Sequence, residues 1–489
     1  MNTGKLNLLA VALAASMLAA CGGDDSAVPS TASQTAIGTI TGFGSVIVND
    51  VRFNDSAARI SMDDASATRD QLRVGMVVRI RGRIHADGTG VAESIEYNDC
   101  VQGPITAMNR VRNTVTVLGQ TVRIDEDTVY DGVTLRDMNG FQIGDQVEVS
   151  CLPDPANNQM RATRMQFRER FQNGFSELEV KGVVSNLGAD TFMLNGLTVN
   201  MAGVAVGNRP AGLANGMTVE VSGKNYDNGI LTADRLRDRD RDRISYPDGD
   251  GLEVEGYVSD FIGIASDFTV SGQRVNAANA VIKNGTAADI RDGLKVEVEG
   301  TMTNGVLVAS VLVIKLQANV RVEAGLQAKD AALGSLTLLG RSIEVNANTQ
   351  LRDGATSPEQ PVEVLLSSLN PGDRLEVHAY EDSTGALVAS RVERTAADAL
   401  VVVKGPADAK VPTTQLTLAG FTVATGIGTR YRDAEGEFTD ANSFYAAVLV
   451  SPPASTVVHA RGVVASLATN IVDATRSMST YGELEISGQ

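Results

Sequence analysis

GMTVEVSG, residues 216–223, sets apolar and polar side chains in strict alternation between two glycines. A period of two belongs to a β-strand with one face buried. The same eight-residue frame recurs as GMVVRIRG (75–82), GDQVEVSC (144–151), GLKVEVEG (293–300) and GDRLEVHA (372–379). A divergent form ends in VVHARG (457–462). Each is a strand entered through a glycine turn.

Working outward, the frame is followed by a hairpin signal, Asp87-Gly88, Asn228-Gly229, Asn304-Gly305 or Thr384-Gly385, of the kind that needs positive φ. A further strand then places Ala three residues before an apolar side chain, as in Ala92/Ile95, Ala162/Met165, Ala233/Leu236, Ala309/Leu312 and Ala389/Val392. Upstream, a Gly-x-Ile/Val start leads to SVIVND (45–50), TVTVLG (114–119), TFMLNG (191–196), DFTVSG (267–272), SLTLLG (335–340) or QLTLAG (415–420). A third short strand such as VRF (51–53) or QTVRI (120–124) follows. The unit therefore reads β-β-β, a polar connection with a single helical turn near residues 70–72 or 288–290, then β-β.

Five strands in this order predict an all-β fold, a tandem array of about six small five-stranded barrels of the oligonucleotide/oligosaccharide-binding type, which close and so remove their edges. The same order also suits open sheets stacked as a solenoid. The expected divisions are a signal peptide (1–20), a lipidated cysteine and flexible linker (21–37), and repeats at 38–99, 100–176, 177–250, 251–318, 319–398 and, divergent, 399–489. With folding starting near Ile37 and neighbours touching, six copies in line would form a rod on the order of 150 Å long.

The N-terminus has a charged Lys5, an apolar run from Leu8 to Ala20, and then Cys21. This is the layout of a signal peptide, too short to span as a mature helix. Leu18-Ala19-Ala20-Cys21 resembles the bacterial lipobox, which implies lipidation of Cys21 as the first mature residue. By the sorting rule of lipobox proteins, Gly22 in the next place implies the outer membrane. No second apolar stretch is long enough to cross a bilayer, so the mature chain is expected outside the cytoplasm on a lipid tether. Gly22 to Ala36 has the composition of a spacer.

The lipobox together with tandem copies like GTITGFGSVIVNDVRF (38–53) and the frame G-M-x-V-x-V-x-G resembles domain-of-unknown-function family 5666, a bacterial lipoprotein repeat family. The likeness covers five copies and part of a sixth, where Ser455 replaces the entry glycine. It implies a fold and no activity. In a barrel of this kind the first and fourth strands pair antiparallel, which brings Cys100, just before the first strand of copy two, beside Cys151 at the end of the fourth. With Cys21 acylated, the remaining two cysteines in an oxidising compartment read as one disulfide. A redox or metal pair is the rival reading, but the chain has no Cys-x-x-Cys and no histidine near either cysteine.

A formal charge of −17, no Trp and only 4% aromatic residues argue against nucleic acid as a partner. Histidines occur only at 85, 378 and 459, in different copies, and His378 stands at a position expected to face solvent. No nucleophile elbow, zinc-protease motif or phosphate loop is present, so no catalytic residue, metal or cofactor is assigned. DRDRDR (238–243) and PDGDG (247–251) fail the EF-hand spacing and read as a solvated linker, with a calcium-rigidified joint as the other reading.

RATRMQFRERF (161–171) is basic and aromatic within an acidic chain. Arg164, Phe167, Arg168, Arg170 and Phe171 are binding candidates for an anionic glycan, a lipid phosphate or a partner carboxylate. The alternative is a last strand whose phenylalanines pack on copy three. The expected function is a non-enzymatic, lipid-anchored envelope protein that binds or spaces, with an unknown envelope protein or polysaccharide as partner. A glycan-active enzyme and a purely structural envelope protein are the alternatives.

Overall fold

Five strands of copy one each pair with two others of the set and so close a ring. The first strand, Gln34–Gly42, lies antiparallel to the second, Val46–Val48, and to the fourth, Val77–Ile84. The third, Val51–Asn54, pairs with the second and runs parallel to the fifth, Thr89–Tyr97, which returns to the fourth. Copy two closes in the same way through Val101–Asn109, Thr114–Val117, Gln120–Arg123, Asp145–Asp154 and Gln159–Arg170. The same partners recur in copies three and four. In copy five the first strand is broken between Val320–Gly325 and Ala328–Asp330.

This computed structural model describes residues 34–85, 87–239, 246–382, 384–450, 455–464, 471–475 and 482–487. The segment expected to be a signal peptide, Cys21 and most of DRDRDR lie outside them. Among the described residues there is one short α-helix, Ala441–Ala447.

Two local requirements explain the glycines of the repeated frame. The entry glycines Gly75, Gly144, Gly216, Gly293 and Gly372 all have φ between +76° and +95°, where a side chain is strained. The terminal glycine sits at a β-bulge, and a Cβ at Gly223 would lie 2.3 Å from the carbonyl oxygen of Thr232. Cys151 takes this bulge position in copy two and is bonded to Cys100, as the antiparallel pairing of first and fourth strands requires.

Strand formation begins earlier than expected. Gln34–Ile37, assigned from composition to the linker, pairs on one side with the fourth strand of its own copy. On the other it runs parallel to Gly251–Val254 of copy four. In each ring the short second strand covers only the later half of the first, so the earlier half keeps a free edge, and an unpaired edge recruits another strand. The first strands of copies two and three meet antiparallel at Val101 and Val180, and those of copy five and the closing segment at Val322 and Val403.

The copies consequently do not form a rod. The backbone of Phe43 in copy one is bonded twice to copy five, its N–H donating to the carbonyl of Pro361 and its carbonyl accepting from the N–H of Glu363. Arg239 of copy three reaches Asp64 of copy one at 2.8 Å, and Asn139 of copy two reaches Glu485 of the closing segment at 2.7 Å. Polar faces that alternation alone would leave in water are turned on one another. The fourth strand of copy five, Arg374–Glu381, and the first strand of copy four, Gly251–Ser259, are accordingly buried on both faces over most of their length.

Candidate functional site

Charged side chains on the outer faces of first and fourth strands converge where the pairs of copies meet. In copy five, Arg321 and Glu323 come from the first strand, Glu376 and His378 from the fourth, and Arg391 and Glu393 from the fifth; all but the half-buried Glu323 are buried. The connector of copy two, residues 125–139, wedges against this face and against the closing segment. Arg136 contacts Glu376 at 3.4 Å, and its carbonyl accepts a 2.8 Å bond from Arg321 Nη1. Glu126 pairs with Lys404, and Asp137 with Arg461.

Glu376 is the hub. It lies 2.7 Å from His378 Nε2, 3.5 Å from Arg391 and 3.7 Å from Arg321. Burial would raise its carboxyl, but Arg321, His378 and Arg391 bring it well below the usual range. Burial and then Arg391 hold His378 down at about 4, despite Glu376. His459 is likewise held well below its ordinary value by burial, Arg461, Lys404 and Arg321. His378 is 2% exposed, which overturns the solvated reading: its strand faces another copy rather than water.

A second charged junction joins copies one, two and three. The ammonium of Lys181 donates to the carbonyl of Asp99 at 2.6 Å and lies within 3.4 to 3.9 Å of the carboxylates of Glu179, Asp99, Glu220 and Asp63. Asp63, Asp99 and Glu179 come close enough together for a divalent ion, but the lysine already stands among them. Burial drives Asp99 well above the usual carboxylate range and Glu179 up to about 7, against the pull of Lys181. From the former linker, Arg239 pairs with Glu220 as well as Asp64, so the described end of that segment is an ion-paired strut.

The candidates in residues 161–171 do not make one open patch. Arg164 is 2% exposed, paired with Asp131 and bonded to the carbonyl of Val74 at 3.1 Å. Phe167 and Phe171 pack against the core shared by copies two and three. Arg168 and Arg170 are exposed and pair with Glu148 at 3.4 Å and Asp145 at 2.6 Å on the adjacent strand. The strand period does not make this split, since Arg164, Arg168 and Arg170 are an even number of residues apart. Position along the hairpin does, because Arg164 lies where copy one covers the strand through Val74 and the later residues lie along its exposed end.

Alternating charges in runs such as Arg391-Val392-Glu393-Arg394 hold much of this chemistry, and they read as solvated faces when taken one strand at a time. Their signal is complementarity between strands: Glu376 beside Arg391, and Glu255 beside Lys295 at 2.7 Å.

These features define a multi-barrel β protein with ion-paired junctions between its copies. A family model described as Domain of unknown function (DUF5666) matches residues 35–96, 102–166, 181–237, 255–312 and 321–393, and the chain belongs to that family. Five copies match rather than the six expected. The closing segment repeats the strand pairing, Val401–Val411 with Gln415–Leu418 and Val457–Val464, without the family's sequence pattern. No curated protein matches the chain.

Proposed function

We propose that the protein is an outer-membrane lipoprotein, anchored by an acylated Cys21, that works by binding an envelope protein or polysaccharide rather than by turnover. We further propose that its copies are barrels of the oligonucleotide/oligosaccharide-binding type, since the third and fifth strands run parallel and the first bridges the second and fourth. The observation that supports binding over catalysis is the engagement of the buried titratable groups with one another. His378 is held by Glu376 and Arg391, and His459 lies against Asp137 and Arg461. These contacts engage Nε2 of His378 and Nδ1 of His459, and a ring nitrogen so engaged has no free lone pair for a substrate proton. Closely joined copies favour a rigid block that presents loops, rather than a spacer that supplies reach.

Capture from solubilised envelope by the chain from Gly22 onward tests the reading, beside a chain with Arg168→Ala and Arg170→Ala, the exposed members of the basic stretch. A partner held by the first and lost by the second places the contact on copy two. Capture of nothing by either removes the binding reading. Cys21→Ser should move the protein from the membrane pellet to the soluble fraction, and a variant that still pellets would remove the anchor.

A further inference from the structure

We infer that the cavity between copies one, two and five is a binding site for a small oxyanion. It has a volume of about 130 Å³, and five arginines and His378 share its walls with the carboxylates Asp131, Glu359, Glu376 and Glu393. A cavity needs about 10–15 Å³ of such space to admit one water. The space therefore suits one phosphate-sized or carboxylate-sized ion with part of its hydration.

The charge balance calls for an anion there. Arg164 and Arg352 each have a carboxylate of their own, Asp131 and Glu393. Around the hub the count differs: Arg136, Arg321 and Arg391 all lean on Glu376, and Glu323 is shared between Arg321 and Arg374. Within the wall itself five guanidinium groups, of which Arg136 is half-exposed, stand against the four carboxylates Asp131, Glu359, Glu376 and Glu393, an excess of one positive charge. Glu359, also in the wall, is paired outward with Arg73 at 2.7 Å. Buried cationic charge without an equal counter-charge is costly, and guanidinium groups bind planar or tetrahedral oxyanions through paired N–H bonds.

The donors are in place as well. Among the described residues, Arg164 Nε, Arg321 Nε and Arg391 Nε are buried without a hydrogen-bond partner, and so is His378 Nδ1. Their side chains come from copies two and five and line the same cavity. All four residues are at least nine-tenths buried. Buried N–H groups are ordinarily satisfied, and several orphans on one cavity wall mark a place for an acceptor. The inference does not depend on the envelope partner or the lipid anchor.

The test uses the chain from Gly22 onward. Its melting temperature is followed as inorganic phosphate, sulfate or glycerol phosphate replaces chloride at constant ionic strength, and crystals soaked in selenate are read by anomalous scattering. A rise in melting temperature beyond that in chloride is expected, together with a selenium peak within hydrogen-bond distance of Arg321 and Arg391. Arg391→Gln should weaken phosphate binding by about tenfold or more, the loss of one charge-assisted bond. A response to glycerol phosphate as well as phosphate would identify a phosphate monoester as an acceptable ligand; a response to the inorganic ions alone would identify a free oxyanion. Should Arg391→Gln fail to fold, the unaltered chain decides: no selenium peak in the cavity and no oxyanion-specific stabilisation overturn the proposal.

Discussion

Copies two and three share one apolar core, as do copy five and the closing segment, whereas copies one and four, also joined through their first strands, keep two separate cores. The difference follows strand direction. Antiparallel first strands relate two copies by a local two-fold, so like meets like. Val101 faces its equivalent Val180, and the hairpin turns at Gly119 and Gly196 touch each other, a Cβ on either meeting the other's backbone within 3 Å. In the other antiparallel pair, Lys329 and Lys410 occupy matching places, each donating to two backbone carbonyls near the end of its own copy's connector. Such self-complementary contact brings the same apolar edge from both sides, as in an isologous dimer. The parallel pair brings unlike surfaces together. It is held by the Gln34–Ile37 ladder, by Ile37 packing on the core of copy four, and by Thr39 N donating to Glu255 at 2.7 Å.

Removing the disulfide should test the fused pair hardest. Cys100→Ser with Cys151→Ser, residues 51 apart in sequence, should cost about 4 kcal/mol by the loop-entropy estimate. With a shared core, hydrogen exchange should then rise in copies two and three together. Exchange that rises in copy two alone would break the comparison. Leu194→Ala and Leu312→Ala, both at fully buried positions, should each cost about 3 kcal/mol. The first should loosen two copies and the second copy four only, as read by peptide-resolved exchange.

Acidity should separate the regions with a smaller effect. Glu179 is raised to about 7, so its contribution is fully present below its unfolded pKa and lost as pH rises through about 7. His378 is depressed to about 4, so its contribution is present above its unfolded pKa and lost as pH falls through about 4. The junction of copies one, two and three should therefore exchange more slowly at pH 5 than at pH 8 after correction for intrinsic rates, and the face of copy five should do the reverse. Glu179→Gln should flatten the first trend and leave the second. Least of all, Gly216→Ala should lower stability by about 1 kcal/mol, because φ is +90° and the space around it is open. Gly75→Ala should cost more, since its Cβ would meet the carbonyl of Thr163 in copy two at 2.8 Å; equal melting temperatures would contradict that contact.

Much of a single copy is legible in the residues. The alternation in GMTVEVSG, the Asn-Gly turns at 228–229 and 304–305, and the single turns at Arg69–Gln71 and Ala287–Asp289 all appear where the pattern puts them. Capping of those turns is local too: Gln71 accepts from Thr68 N at 2.9 Å and Asp289 from Thr286 N at 2.8 Å. The polar faces were legible only as polar. Nothing in the period of His378 distinguishes a neighbour made of water from one made of Arg391, and Arg164 looks the same in an exposed basic patch as in a buried pair with Asp131.

By itself the amino-acid sequence determined the strands, their order and their turns and pointed to the Cys100–Cys151 pair, because these rest on contacts within some seventy residues and on backbone angles that only certain side chains tolerate. That the strands close into rings rather than stack as open sheets is read from the pairing of first with fourth and third with fifth strands. Only the tertiary structure decided which copies pair, in which direction, and that the charged faces are buried. A free half-strand accepts any partner with unpaired backbone groups, and a charged face is equally content with water or with its complement. The choice between those partners is made by the shape of the whole assembly.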